Sequence, residues 1–237
     1  MWSGPRSLST ALMYSFAQRA DTHVIDEPFY AAYLKLTGVD HPMRDAVLES
    51  QPTDPARVAA DCLAPAPLPA RLPVVYQKHM VHHMVPGVPL NWMRQVTNVF
   101  LIRHPARIIA SYAAKRENPE TDDLGIVATG ALHDRLVAQG EAPVVVAAED
   151  IRAAPEATLR ALCAALGLDW DPAMLCWPAG PRPEDGVWAA HWYGSIHRST
   201  GFQSAEGPLP DTPDALRPVL DAALPVWERL NEKRLRP

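Results

Sequence analysis

Hydrophobic positions along this chain switch between two periods, and the switching predicts strands and helices in alternation. Residues 22–25, 74–77, 96–102 and 143–147 are short apolar or β-branched runs that predict strands. Val96 to Ile102 is the strongest of them and reads as a strand buried on both faces. Between these runs, residues 10–20, 29–36, 54–63, 105–116, 122–139, 155–166 and 213–234 carry helical spacing. Pro105 sits where a helix takes its first residue, and Gly167 closes the helix that starts at Pro155. Strands that alternate with helices imply right-handed crossovers. The expected fold is therefore α/β, one domain over residues 1–237 with a mainly parallel central sheet flanked by helices, of the P-loop NTPase-like kind. Ligands of such sheets sit beyond the carboxyl ends of the strands. Residues 178–212 show no clear period and read as an irregular flap.

Composition narrows the classes. The chain has 48% hydrophobic and 21% charged residues, ordinary for a globular domain. A net charge of −5 argues against general binding to nucleic acid or to an anionic membrane. No stretch nears the roughly 20 apolar residues of a spanning helix. The first residues already belong to a motif, which leaves no room for a signal peptide, and a cytoplasmic location is expected. Cys62, Cys163 and Cys176 are an odd number without metal-type spacing, and Cys163, inside an apolar helical pattern, is expected to be a reduced, buried thiol. The 25 prolines cluster at 42–89 and 178–218, in what read as connecting segments.

Two segments carry the chemistry. Each joins a predicted strand to a predicted helix, and each places an arginine and hydroxyl groups where backbone N–H groups have no partner. The first holds Arg6, Ser7, Ser9 and Thr10 after Gly4 and Pro5. Against the pattern Gly-x-x-x-x-Gly-Lys-Ser/Thr, Ser9 fills the second glycine slot and Thr10 the lysine slot. The lysine that reaches the β- and γ-phosphates of a nucleotide is missing, which argues against ATP chemistry of that type. The second holds Arg103 at a strand end and Ser111 in the second turn of the next helix, with Arg107 and Arg116 as further cations. An arginine fork with a serine hydroxyl makes a charge-assisted phosphate clasp. Two such sites on one sheet suggest a ligand with phosphates at both ends.

In these residues the chain resembles the P-loop sulfotransferases that use 3′-phosphoadenosine 5′-phosphosulfate (PAPS). Arg6-Ser7-x-Ser9-Thr10 looks like their 5′-phosphosulfate loop, with Leu8 where many members have glycine. Leu8 is therefore expected in a conformation that tolerates a β-carbon. Arg103-x-Pro105, Ser111 and Arg116 look like their 3′-phosphate motif. Val146 to Ile151, then Pro155 to Leu168, is similar to their closing strand-turn-helix segment. The resemblance covers residues 1–175 and implies PAPS as donor, a small-molecule acceptor and no metal requirement. Only three residues precede Gly4, so the first strand must be very short.

Sulfuryl transfer needs a positioned acceptor, a base for its proton and stabilised charge on the leaving oxygen. Lys78, at a predicted strand end, matches the family's lysine and would serve the leaving group. Glu27 is the expected base and His79 its rival. His79, His82 and His83 have metal-compatible spacing, yet no carboxylate or cysteine nearby completes a zinc site. Glu149 and Asp150 read as structural, and Trp188, Trp192 and Tyr193 as acceptor-pocket or core aromatics. Two other readings stay open: an ATP-dependent small-molecule kinase, and a non-catalytic sensor of adenosine 3′,5′-bisphosphate.

Overall fold

The computed structural model describes residues 1–64, 72–113 and 119–237. The elements used below are, in chain order, β1 (Trp2–Ser3), α1 (Ser9–Phe16), β2 (Thr22–Asp26), α2 (Tyr30–Thr37), α3 (Arg44–Ser50), α4 (Pro55–Asp61), β3 (Val74–Met80), β4 (Val99–Ile102), α5 (Pro105–Ala113), α6 (Ile126–Ala138), β5 (Val144–Ala147), α7 (Ala148–Ala153), α8 (Pro155–Ala165), α9 (Ala189–Trp192) and α10 (Arg217–Glu232). Strands β1 and β4, β4 and β5, and β2 and β3 all pair in parallel, so the expected α/β class with a parallel sheet is what the chain forms. Its contacts group into two compact units.

The first unit comprises Met1–Ser9, Thr97–Trp170 and Gln203–Pro237. Here β4 pairs with β1 on one side and β5 on the other, in registers Trp2↔Phe100 and Phe100↔Val145. All four residues of β4 are buried, as a strand covered on both faces requires. The first strand is as short as expected, two residues, and Trp2 compensates by burying its ring and donating Nε1–H to Asn98 Oδ1 at 2.8 Å. Gly4 follows because a β-carbon there would run into the carbonyl oxygen of Leu124. The chain end closes the unit: Leu235 N–H donates to the Val145 carbonyl at 2.7 Å, and Arg234 pairs with Asp150 at 2.7 Å.

The second unit comprises Thr10–Val96 and Asp171–Phe202. Its strands β2 and β3 pair from Thr22↔Val74 to Asp26↔Lys78. Phe16 stacks on Tyr76 at 4.6 Å between ring centres, and Phe29 on Trp92 at 5.7 Å. The 171–202 segment has little regular structure but is fastened to itself, with a bridge between Cys176 and Gly201 and a hydrogen bond from Trp177 Nε1 to Ser199 Oγ at 3.0 Å.

Several expectations need correcting. Strand β3 does not stop at Gln77; it runs through Lys78 and His79 to Met80, because the charge of Lys78 is neutralised inside the unit and the ladder continues. Strand β4 begins at Val99, since residues 91–95 take a 3-10 turn before it. Helix α3 went unseen because Val47 alone of its residues is buried, too thin a signal for periodicity. Leu8 does not find a conformation that suits a β-carbon. It stands at φ 74°, the left-handed region that glycine would fill without cost.

Helix α5 is described to Ala113, so Arg116 lies outside the described residues, as does most of the proline-rich run 64–70. None of the three cysteines forms a disulfide; Cys62 and Cys163 are buried, Cys176 is exposed, and burial pushes the Cys62 thiol up to about 12. No helix among the described residues is long and apolar enough to cross a membrane.

Candidate functional site

The first constellation lies within the first unit, where the loop that holds Arg6 meets the loop and helix that hold Arg103 and Ser111. Arg6 Nε–H donates to Ser111 Oγ at 3.1 Å. Arg103 reaches the other way, its Nη1 donating to the Arg6 carbonyl at 2.6 Å. The backbone makes this meeting: Arg6 itself stands at φ 59°, turning its carbonyl toward Arg103 as the chain passes from β1 into α1. Such strain at a loop of charged groups is where binding sites store it. Burial, then the charge of Arg103, holds the Arg6 guanidinium below its ordinary value. Ser7 and Ser9 are buried beside it, with Ser7 Oγ–H donating to the Pro5 carbonyl at 3.2 Å, and Thr10 is the second residue of α1.

Carboxylates already serve the second loop. The His104 N–H, at the start of α5, donates to Glu149 Oε1 at 2.8 Å, and the Ala106 N–H donates to His104 Nδ1 at 3.2 Å. His104 therefore caps the helix through an unprotonated ring nitrogen, in keeping with burial lowering its pKa. Asp150 binds Arg234, so the pair Glu149–Asp150 is structural in geometry. Glu206 goes further: its buried carboxylate accepts hydrogen bonds from Arg103 Nη2 and from Arg152 Nη1 at 2.7 Å, and it forms an ion pair with Arg107, Nε to Oε2 3.4 Å, without a hydrogen bond.

The second constellation lies within the second unit. Lys78, 1% exposed, spends all three ammonium protons on neighbours: Asp26 Oδ1 at 2.9 Å, Glu27 Oε1, and Tyr193 Oη at 2.7 Å. Tyr193 in turn donates to Asp26 Oδ2 at 2.7 Å and accepts from Trp188 Nε1 at 3.3 Å. Burial works against the charge on Lys78, yet Asp26 and Glu27 overcome it and hold its pKa well above the usual value. Glu27 is lifted above the ordinary carboxylate range, burial outweighing the pull of Lys78. Its backbone is also strained, at φ 41°.

The structure thus joins Glu27 to Lys78 and leaves His79 apart. Successive strand residues face opposite ways. The His79 ring packs against the stacked pair of Phe29 and Trp92, with Nε2 3.0 Å from Gln77 Oε1, and burial pushes its pKa well below the usual value. His83 stacks on Tyr30 and Tyr33, and no group of three metal-ligating side chains exists among the described residues.

Trp188 and Tyr193 are core anchors of the lysine cluster, while Trp192 is half-buried near His41. Asp26 and Glu206 were missed by sequence reasoning. Asp26 could have been found, since it adjoins Glu27 at a strand end; Glu206 carries no local signal at all.

A sequence profile of the sulfotransferase domain matches residues 1–234. The chain belongs to the sulfotransferase family. Among solved structures it resembles the sulfotransferase domain from the curacin biosynthetic pathway, at 16% identity and TM-score 0.56, covering 93% of this chain and 95% of that one. That likeness concerns the fold. Among curated proteins it is 40% identical over 229 residues to branched-chain-amino-acid aminotransferase-like protein 1 of Arabidopsis thaliana. It is 39% identical over 230 residues to the corresponding protein 2. The match takes in 97% of this chain but 40% of each relative, so those names describe proteins that extend far beyond the shared sulfotransferase segment. Membership makes the chain a transferase of the sulfotransferase kind.

Proposed function

We propose that the chain transfers the sulfuryl group of PAPS to a hydroxyl or amine of a small molecule. The observation that carries this reading is the junction of Arg6, Ser111 and Arg103 within a sulfotransferase domain. The donor set suits phosphate. Arg6, Arg103, Arg107 and Arg152 outnumber Glu149 and Glu206, and the Nε–H groups of Arg103 and Arg107 are buried without a hydrogen-bond acceptor. Arg6, Ser7, Leu8, Ser9 and Thr10 would hold the 5′-phosphosulfate. Arg103 and Ser111, with Arg116, would hold the 3′-phosphate. When bound, PAPS supplies the sulfuryl group and departs as adenosine 3′,5′-bisphosphate.

Glu27 is the proposed base. Its raised pKa moves it toward the range where a carboxylate can both accept and release a proton near neutral pH. Lys78 is the proposed cation for the leaving oxygen, and the geometry links the two roles. Once Glu27 takes a proton, its hold on Lys78 Nζ weakens and one ammonium N–H is released for new negative charge. Asp26 and Tyr193 keep the lysine charged and in place throughout.

Release of adenosine 3′,5′-bisphosphate from PAPS in the presence of an acceptor tests the assignment. Glu27→Gln is expected to lower kcat by about 10²–10⁴-fold with donor affinity unchanged. His79→Ala is expected to keep kcat within a few-fold of the wild type. The pH profile alone does not separate the bases, because burial raises Glu27 and lowers His79, bringing their acid limbs together. A normal kcat for Glu27→Gln with a dead His79→Ala would make the histidine the base.

A further inference from the structure

Glu206 occupies the arginine cluster in a way that neither the family assignment nor the catalytic reading explains. Residues 202–213 form neither helix nor strand, and Gln203, Ser204, Ala205, Gly207, Pro208 and Leu209 are exposed. Glu206 alone in that stretch of seven turns inward, its side chain 9% exposed between Arg103, Arg107 and Arg152. The segment's polar anchors are these same arginines: Arg107 Nη2 donates to the Gly207 carbonyl at 2.6 Å, and Arg152 Nε to the Ser204 carbonyl at 3.0 Å.

One carboxylate is a poor match for three guanidinium groups. Its Oε1 takes both Arg103 Nη2 and Arg152 Nη1, while its Oε2, 3.4 Å from Arg107 Nε, makes no hydrogen bond, and Arg103 Nε and Arg107 Nε are left without an acceptor. A phosphate group has three terminal oxygens and about twice the charge. It would satisfy donors that Glu206 cannot. A segment with exposed flanks and no ladder of its own opens locally at low cost.

We propose that Glu206 is an internal competitor for the donor-binding arginines, displaced by an incoming phosphate group and returning when it leaves. The proposal rests on the assignment of Arg103 to the 3′-phosphate made above. Glu206 offsets part of the charge of the unloaded arginines. By competing for them it weakens the product complex, which favours release of adenosine 3′,5′-bisphosphate after transfer.

The test is titration of wild type and Glu206→Gln with adenosine 3′,5′-bisphosphate, AMP and inorganic phosphate. Glu206→Gln is expected to bind adenosine 3′,5′-bisphosphate at least tenfold tighter, with AMP within twofold of the wild type, and to be stabilised by lower concentrations of inorganic phosphate. Equal or weaker binding of the bisphosphate overturns the competitor and makes Glu206 a fixed support for Arg103. If neither protein binds a nucleotide, the donor reading falls, and the phosphate titration decides the competitor by itself: tighter binding to the variant upholds it, equal binding or none ends it. Should Glu206→Gln fail to fold, Glu206→Asp keeps the charge with a shorter reach. It is then expected to bind the bisphosphate several-fold tighter than the wild type, and an unchanged affinity overturns the proposal.

Discussion

Lys78→Met is expected to lower the melting temperature by roughly 6–20 °C. The substitution keeps the length of the side chain and removes the one cation between Asp26 and Glu27, both buried. Breaking a buried pair by deleting one partner costs about 3–5 kcal/mol, because the remaining charge stays desolvated and uncompensated. For a chain of this size each kcal/mol is worth about 2–4 °C. The deficit should depend on pH with a definite sign. In the wild type, the raised pKa of Lys78 gives a contribution that is complete below the unfolded-state value and lost only as the pH rises through the folded one. Lys78 itself therefore stays protonated in the wild type from pH 5 to pH 8, and it limits the stability that the raised Glu27 costs as the pH rises through that range. The variant lacks that limit: with the lysine gone, Glu27 escapes repulsion by keeping its proton, so the loss grows as the pH rises from 5 to 8. Scanning calorimetry at both pH values checks this. A fall of less than 2 °C at pH 8 would mean that the cluster is not a charged network.

Arg103→Ala is expected to weaken adenosine 3′,5′-bisphosphate by tenfold or more while affecting AMP far less. Charge-assisted hydrogen bonds contribute about 1.5–3 kcal/mol each, and the loss of one such bond already exceeds a factor of ten. AMP has no 3′-phosphate and so has little to lose at this residue. Arg103 also supports the Arg6 carbonyl, so a small common loss for both nucleotides is expected from the loosened loop. Isothermal titration of both ligands separates the effects. Equal losses would show that Arg103 acts through the fold of the loop and not through the 3′-phosphate.

What the sequence made legible was local. Arg103, Pro105 and Ser111 lie within nine residues, and a strand that turns into a helix has a pattern of its own, so their placement could be read directly. The same holds for Arg6 and the hydroxyls after Gly4. Less legible was backbone conformation where the residue type argued against it: Leu8 and Arg6 both take positive φ, which side chains other than glycine seldom announce. Least legible were pairings across long stretches of chain. Tyr193 meets Asp26 over 167 residues, and Glu206 meets Arg103 over 103, each from a segment with no period. A lone glutamate in a proline-rich stretch reads as solvated surface, and only the folded chain shows that it is buried among arginines. Lys78 and His79 illustrate an intermediate case. Both were placed near a strand end, but the extension of β3 to Met80 turned them to opposite faces and so separated the lysine from the rival base.

Ligand-dependent melting of the wild-type chain tests the donor assignment most directly. A ligand present at about 100 times its Kd stabilises by about 2.7 kcal/mol, a rise of roughly 5–11 °C for a chain of this length. Adenosine 3′,5′-bisphosphate is expected to produce a rise of that size, and Mg·ATP to produce none, since Thr10 stands where a kinase loop would need its lysine. A rise with Mg·ATP and none with adenosine 3′,5′-bisphosphate would contradict PAPS as the donor and return the loop at Gly4 to Thr10 to ATP chemistry.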